Sequence, residues 1–196
     1  MIRAFERFIV DLRELWAREP DMAARMALAK PLLERLVLDP ELKAASARWP
    51  STEGRKNLLL HVDEEHGFAI NAVVREPGRV GGVHDHAQAW VLYGLLDGSE
   101  SLERYDRLDD GSRPGFAELR LASVTAGTGG KVDLVPPFAI HAEQGGLARS
   151  VAIILRSQRV GEGTVLQHHY DPAAQTVRDG WGPTQIPYDL SAGASR

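Results

Sequence analysis

The sequence predicts a mainly β domain, a sandwich or barrel of short strands, that carries a layer of helices at its N-terminus. Three observations predict it. The chain changes character near residue 50, from apolar residues at helical spacing to short runs with turn residues between them. Glycine or proline separates nearly every pair of strand candidates, which suits antiparallel strands and tight turns better than a parallel α/β sheet. At 196 residues and 43% hydrophobic, the chain is long enough for one real core with an appendage and short for two domains.

The helical layer spans residues 1–50. Ile2, Phe5, Ile9, Leu12 and Trp16 form one stripe at helical spacing. Pro20-Asp21 interrupts it, and Asp21 is the expected N-cap of a second helix through Met22, Met26 and Leu28. Pro31 suits the first turn of a further segment bearing Leu32, Leu33, Leu36 and Leu38. Asp39-Pro40-Glu41 repeats the start signal for a short helix ending near Trp49-Pro50. These helices read as a packing layer without chemistry.

The β region is expected over residues 51–179. Its strand candidates are Leu58 to Val62, Phe68 to Val74, Val80 to His86, Ala89 to Leu96, Glu100 to Leu108 and Phe116 to Val124. Lys131 to Val135, Ser150 to Arg156 and Thr164 to Tyr170 complete the set. The tail, residues 180–196, is rich in Gly, Pro, Ser and Ala and is expected to be irregular.

Composition narrows the function classes. A net charge of −4 argues against nucleic acid as the main partner. The absence of cysteine excludes disulfides, thiolate ligands and a cysteine nucleophile. Charge interrupts Met1 to Arg7, unlike a signal peptide, and no apolar run approaches a membrane span. A soluble cytoplasmic protein is the expectation.

The chemistry concentrates at His84-Asp85-His86 and His141. Alternation along a strand would throw His84 and His86 onto one face and turn Asp85 away. A third imidazole from a distant strand completes a three-histidine metal site with coordination positions open. The plain alternative is a chance grouping of surface or core histidines. Gln88 continues the alternation, either toward a bound ligand or as a structural amide.

The surroundings of these residues resemble a known family. Gly81-Gly82-Val83-His84-Asp85-His86, followed by Gly98 after the next strand candidate, is similar to the first metal-binding motif of the cupin superfamily. Pro136-Pro137-Phe138-Ala139-Ile140-His141 is similar to the second. The resemblance implies a cupin double-stranded β-helix, a jelly-roll barrel. Many cupins place a glutamate ligand four or five residues after the second histidine, where this chain has Trp90 and Val91. Three histidines without that carboxylate resemble the cysteine dioxygenase-like branch, which also carries helices ahead of its barrel. The resemblance spans roughly Arg55 to Arg156, about half the chain.

That branch implies a mononuclear non-haem iron(II) dioxygenase, acting with O₂ on a small anionic thiol or carboxylate. Zinc, nickel or copper would also suit three imidazoles. It implies Arg55 as the holder of a substrate carboxylate, beside the reading of an ordinary solvated arginine. Its Ser-x-His-x-Tyr strand is replaced here by Ala152-Ile153-Ile154-Leu155-Arg156, so the outer acid–base network is missing. Arg156 then has two readings: a fixed positive charge beside the metal, or a solvated strand end. Two other functions stay open, a cupin that binds a ligand or metal without redox chemistry and a metal-dependent isomerase or lyase. Cupins often pair, so a homodimer is also open.

The remaining motifs are weaker. Alternation lets only one of His168 and His169 face the barrel, and Tyr170 shares a face with His168, in a site or a capping role. His61 and His66 flank a turn and are expected to be exposed. One of Trp90 and Tyr93 should face the interior. Gly127-Thr128-Gly129-Gly130-Lys131 is not a phosphate loop, because Thr125 stands at the first glycine position and Val132 follows the lysine.

Overall fold

The computed structural model describes residues 2–54, 56–158 and 167–190. Three helices lead the chain, α1 (Arg3–Arg18), α2 (Met22–Val37) and α3 (Pro40–Ser46). On α1 the expected stripe is buried, with Phe8 and Leu15 widening it. Asp21 accepts the Ala24 N–H and Asp39 accepts the Leu42 N–H, each at 2.8 Å, so both caps satisfy an orphan donor. Pro31 does not open a new segment, because α2 runs through it. Met26, Ala29, Leu33, Leu36 and Val37 of that helix are buried, and this packing outweighs the ~3 kcal/mol a proline costs inside a helix. Leu28 falls off this face and is 48% exposed.

The strands are β1 (Lys56–Val62), β2 (Ala69–Arg75), β3 (Val83–His84), β4 (Val91–Asp97), β5 (Ser99–Arg107) and β6 (Leu119–Thr128). They continue as β7 (Val132–Val135), β8 (His141–Gly145), β9 (Ser150–Arg156), β10 (Gln167–Asp171), β11 (Thr176–Gly180) and β12 (Thr184–Pro187). One sheet has the order β12-β1-β2-β9-β4-β7 and the other β11-β10-β3-β8-β5-β6. Within these, β2 to β9 make an eight-stranded jelly roll, β2-β9-β4-β7 against β3-β8-β5-β6. The fold is a double-stranded β-helix with an N-terminal helical layer.

Alternation divides the first sheet into two apolar faces. Ile70, Ala72, Val74, Leu92, Leu96, Val151, Ile153 and Leu155 join the helices in the main core. Val73, Val91, Tyr93, Leu95, Ala152 and Ile154 point the other way, into the barrel. Burial on both faces explains why β9 reads as an unbroken apolar run. Gly94 is the point of closest approach: a Cβ there would lie 3.0–3.1 Å from Val37 and Leu33 of α2. A side chain there would require Val37 and Leu33 to give way by a few tenths of an ångström.

Four expectations change. The Val80 to His86 candidate shrinks to Val83–His84, and β6 lies several residues beyond its expected start. Strands β8, β11 and β12 had no counterpart in the sequence reading. The tail is not irregular throughout, since β12 runs parallel to β1 from Lys56↔Thr184 to Leu59↔Pro187. That partner is more than 120 residues away, so no local pattern announces the pairing. Of the Thr164 to Tyr170 candidate, residues 164–166 lie outside the described residues, as do tail residues 191–196. No helix among the described residues is long and apolar enough to cross a membrane.

Leu33→Ala should cost about 2–5 kcal/mol in urea unfolding, as truncation of a fully buried leucine does. Leu28→Ala, on the exposed side of the same helix, should change stability by less than about 0.5 kcal/mol. Equal effects would show that α2 does not pack as described.

Candidate metal centre

The second sheet lines up the chemistry in one cross-strand row. His141 opens β8 and lies opposite His84 of β3. His84 is also opposite His169 of β10, which is opposite Arg178 of β11. Directly opposed residues share a face, so His84, His169 and Arg178 line the same cavity. Gly81, just ahead of β3, lets the backbones meet: a Cβ there would fall 2.2 Å from the Glu143 carbonyl oxygen.

His86 lies past the end of β3, so strand alternation does not place it. Asp85 does. Its Oδ1 accepts the backbone N–H groups of Ala87 and His168 at 2.9 and 3.0 Å. His168 Nδ1 lies 2.9 Å from the same carboxylate, and the Tyr170 hydroxyl donates to Oδ2 at 2.9 Å. Ala87 then adopts φ 46°, and the Ala89 N–H closes a turn onto the His86 carbonyl at 2.9 Å. His86 is thereby folded back beside His84. The ring centroids of His84, His86 and His141 lie 4.4–4.9 Å apart, and one ligand atom from each falls within 4.8 Å of the others.

Hydrogen bonds set which nitrogens are available. Nδ1 of His84 donates to the Gly82 carbonyl at 3.0 Å, and Nδ1 of His141 donates to the Ala139 carbonyl at 2.9 Å. A carbonyl only accepts, so each neutral ring keeps its Nε2 lone pair. His86 differs: Arg156 Nη1 and Gln167 Nε2 both lie 3.3 Å from its Nδ1. A guanidinium only donates, so this nitrogen accepts and the neutral ring carries its proton on Nε2; ligation through Nε2 requires the ring to exchange tautomers. Burial, followed by the neighbouring His141, pushes the His84 pKa down to about 4. Burial and then Arg156 hold His86 well below its ordinary value. Both rings are neutral at pH 7, as metal ligands must be.

Glu143, two residues after His141, brings the carboxylate that the sequence reading placed nowhere. Its Oε1 lies 3.3 Å from His141 Nε2, which is buried without a hydrogen-bond partner. With Nδ1–H committed to Ala139, the two atoms face each other as acceptors. Buried facing acceptors call for a cation between or beside them. The donor set therefore fits a metal ion.

The cavity in front of this cluster has a volume of about 270 Å³. Arg156 is 5% exposed, and its Nε has no hydrogen-bond partner. Burial pushes its pKa down to about 10, with Glu143 opposing the shift, so it is a cation at neutral pH. Behind Glu143, Arg75 donates to Glu100 at 2.9 and 3.1 Å, while the hydroxyls of Tyr93 and Ser150 donate to the same carboxylate at 2.7 and 2.6 Å.

The structure thus brings His84, His86, His141 and Arg156 to one place. Gln88 is not among them: the Ala87 turn breaks the alternation and leaves it exposed. Gln167 is the amide beside His86 instead. Arg55 lies outside the described residues. His168 and Tyr170 hold Asp85, and the cavity-facing member of that cluster is His169. Tyr93 lines the cavity while Trp90 packs on the helical core. His61 and His66 are half-buried against Phe68 rather than exposed. Glu143, Arg75, Gln167 and Arg178 were missed. The i, i+2 rule applied to His84 and His86 would have found Glu143, had β8 been recognised as a strand.

No protein-family model and no curated protein matches the sequence. Solved structures similar to it include the cupin domain of Schizosaccharomyces pombe Cnp3, at 13% identity and a TM-score of 0.41 over 53% of this chain. The match spans 60% of that protein's chain, less than two thirds of its length. A Klebsiella pneumoniae protein with a double-stranded β-helix domain matches at 11% identity and 0.42, over 57% of this chain and 80% of its own. Oxalate oxidase in complex with the substrate analogue glycolate matches at 16% identity and 0.43, over 57% of this chain and 56% of its own.

Asp85→Ala should destabilise the protein by about 3 kcal/mol, because it strands several buried donors. It should also lower divalent-metal affinity by about 10- to 100-fold, measured by chelator competition, since the turn that presents His86 loses its anchor. Unchanged metal affinity would remove Asp85 from the support of the site.

Proposed function

We propose that this chain is a metal-dependent enzyme in which His84, His86 and His141 hold one iron(II) ion, and that it oxidises a small anionic substrate with dioxygen. The observation that carries the reading is the pair of lone pairs, on His141 Nε2 and Glu143 Oε1, facing each other beside the other two imidazoles. When bound, iron supplies electron transfer and polarises coordinated oxygen or sulfur atoms.

The chain's own residues do the rest. Arg156 offers an unpartnered buried Nε in a planar fork suited to a carboxylate, and it fixes the substrate's anionic group beside His86. Val73, Val91 and Ile154 give the cavity an apolar wall that limits water around the reacting atoms. Glu143 is charged and adjacent to the ligand nitrogen, so its Oε1 accepts the proton that a thiol or carbon acid gives up. Arg75 bridges Glu100 and Glu143 and keeps that carboxylate in place.

A second reading has a specific observation behind it. A base next to a metal, with no Ser-x-His-x-Tyr network, also suits an isomerase or lyase that needs no oxygen and accepts zinc or nickel.

Metal analysis of protein purified without added metal, followed by an oxygen-uptake screen of thiols and small carboxylates on the Fe(II)-loaded apoprotein, tests the proposal. Uptake by the iron form supports it. Anaerobic turnover with zinc or nickel moves the chain to the second reading, and inertness of every metal-loaded form overturns both. His141→Ala should abolish stoichiometric metal. Glu143→Gln should retain the metal and lower kcat by about 10²- to 10⁴-fold, as loss of a general base does. Arg156→Met should mainly raise KM.

A further inference from the structure

Arg156 accounts for one anionic group of the substrate, but the cavity holds more positive charge than one group needs. Lys56, Arg75, Arg79, Arg156 and Arg178 all line it, and Glu143 is the one carboxylate among the described lining residues. The chain as a whole carries a net charge of −4, so this concentration is local and does not follow from composition. Two of the cations are committed. Arg75 is held by Glu100, Tyr93 and Glu143, and Arg79 donates to the carbonyls of Thr52 and Gly54. Arg156 faces the histidines. Lys56 and Arg178 remain, both exposed at the mouth, and their side chains make no hydrogen bond or ion pair among the described residues.

Register locates Arg178. It lies opposite His169, which lies opposite His84, so two strand spacings separate it from the histidine centre. That is about 10 Å between backbones, and an arginine side chain turned into the cavity shortens the gap to a few ångströms.

Resting on the anionic-substrate reading, we propose that the substrate carries two anionic groups, the inner one at Arg156 and the outer one at Arg178. Lys56 adds to the field at the mouth. With Arg156 beside His86 and Arg178 two strands beyond His84, the two sites lie on the scale of a short dicarboxylate rather than of one anionic group. A monoanion of the same length would leave Arg178 with water alone.

Calorimetry on the full-length, zinc-loaded protein at fixed ionic strength tests this without requiring turnover. Succinate, glutarate and adipate are compared with butyrate, pentanoate and hexanoate. The best dicarboxylate should bind about 10-fold more tightly than its monocarboxylate counterpart, the gain expected of a charge-assisted forked contact. Arg178→Gln should reduce that dicarboxylate to the monocarboxylate level, with monocarboxylate affinity, metal content and Tm unchanged. Equal binding of the two series by the unmodified protein, or a preference that survives Arg178→Gln, overturns the inference and leaves the anionic site standing. Failure of both series to bind overturns the inference and the anionic reading beneath it.

Discussion

Asp85 keeps its charge in the protein interior because donors surround it: two backbone N–H groups, the His168 ring and the Tyr170 hydroxyl. Burial by itself would raise its carboxyl, and these donors together hold it below the ordinary value. Removal of a carboxylate from water costs several kcal/mol, so the arrangement survives only with the donors in register. That requirement ties the His84–Ala87 segment to β10. The tie sends His86 inward and sets Gln167 and His169 against the same cavity. The three-histidine cluster is therefore a consequence of a buried charge outside the cluster.

The two sheets carry different burdens. The first is largely apolar on both faces and serves as a wall, covered by the helices outside and lining the barrel inside, with Arg75 and Arg156 at strand ends turned to the cavity. The second presents its row of histidines and Arg178 toward that wall. Between them, Arg75, Glu100, Tyr93 and Ser150 form a closed network of donors and acceptors. Burial disfavours the Arg75 charge, yet Tyr93, Glu100 and Glu143 hold its guanidinium above its ordinary range. The network fixes the position of Glu143, the carboxylate nearest the histidines. Low dielectric strengthens each of these contacts, and it would make any missing partner costly.

Much of this was legible in local sequence. Helix caps at Asp21 and Asp39, the apolar run of β9 and the turn residues between strands all act within a few positions. They gave the helical layer and most of the barrel. Three histidines with glycine and proline at family-like spacing pointed to the imidazoles that the fold brings together. The errors share a cause: Pro31 and Gln88 were read by local rules that tertiary packing and the Asp85 anchor override. Glu143 was missed because the three residues between Pro137 and His141 hid the start of a strand.

By itself, the sequence determined the helical layer, most of the strands and which imidazoles could meet, because periodicity, capping and turn chemistry are short-range. Only the tertiary structure decided which side chains share the cavity. Arg156 against His86, Glu143 against His141 and Arg178 beyond His169 are set by cross-strand register between segments far apart in the chain. Asp85 reaches its donors across more than 80 residues. Such contacts follow from which strands pair, and that is fixed by burial of the whole domain rather than by any stretch of it.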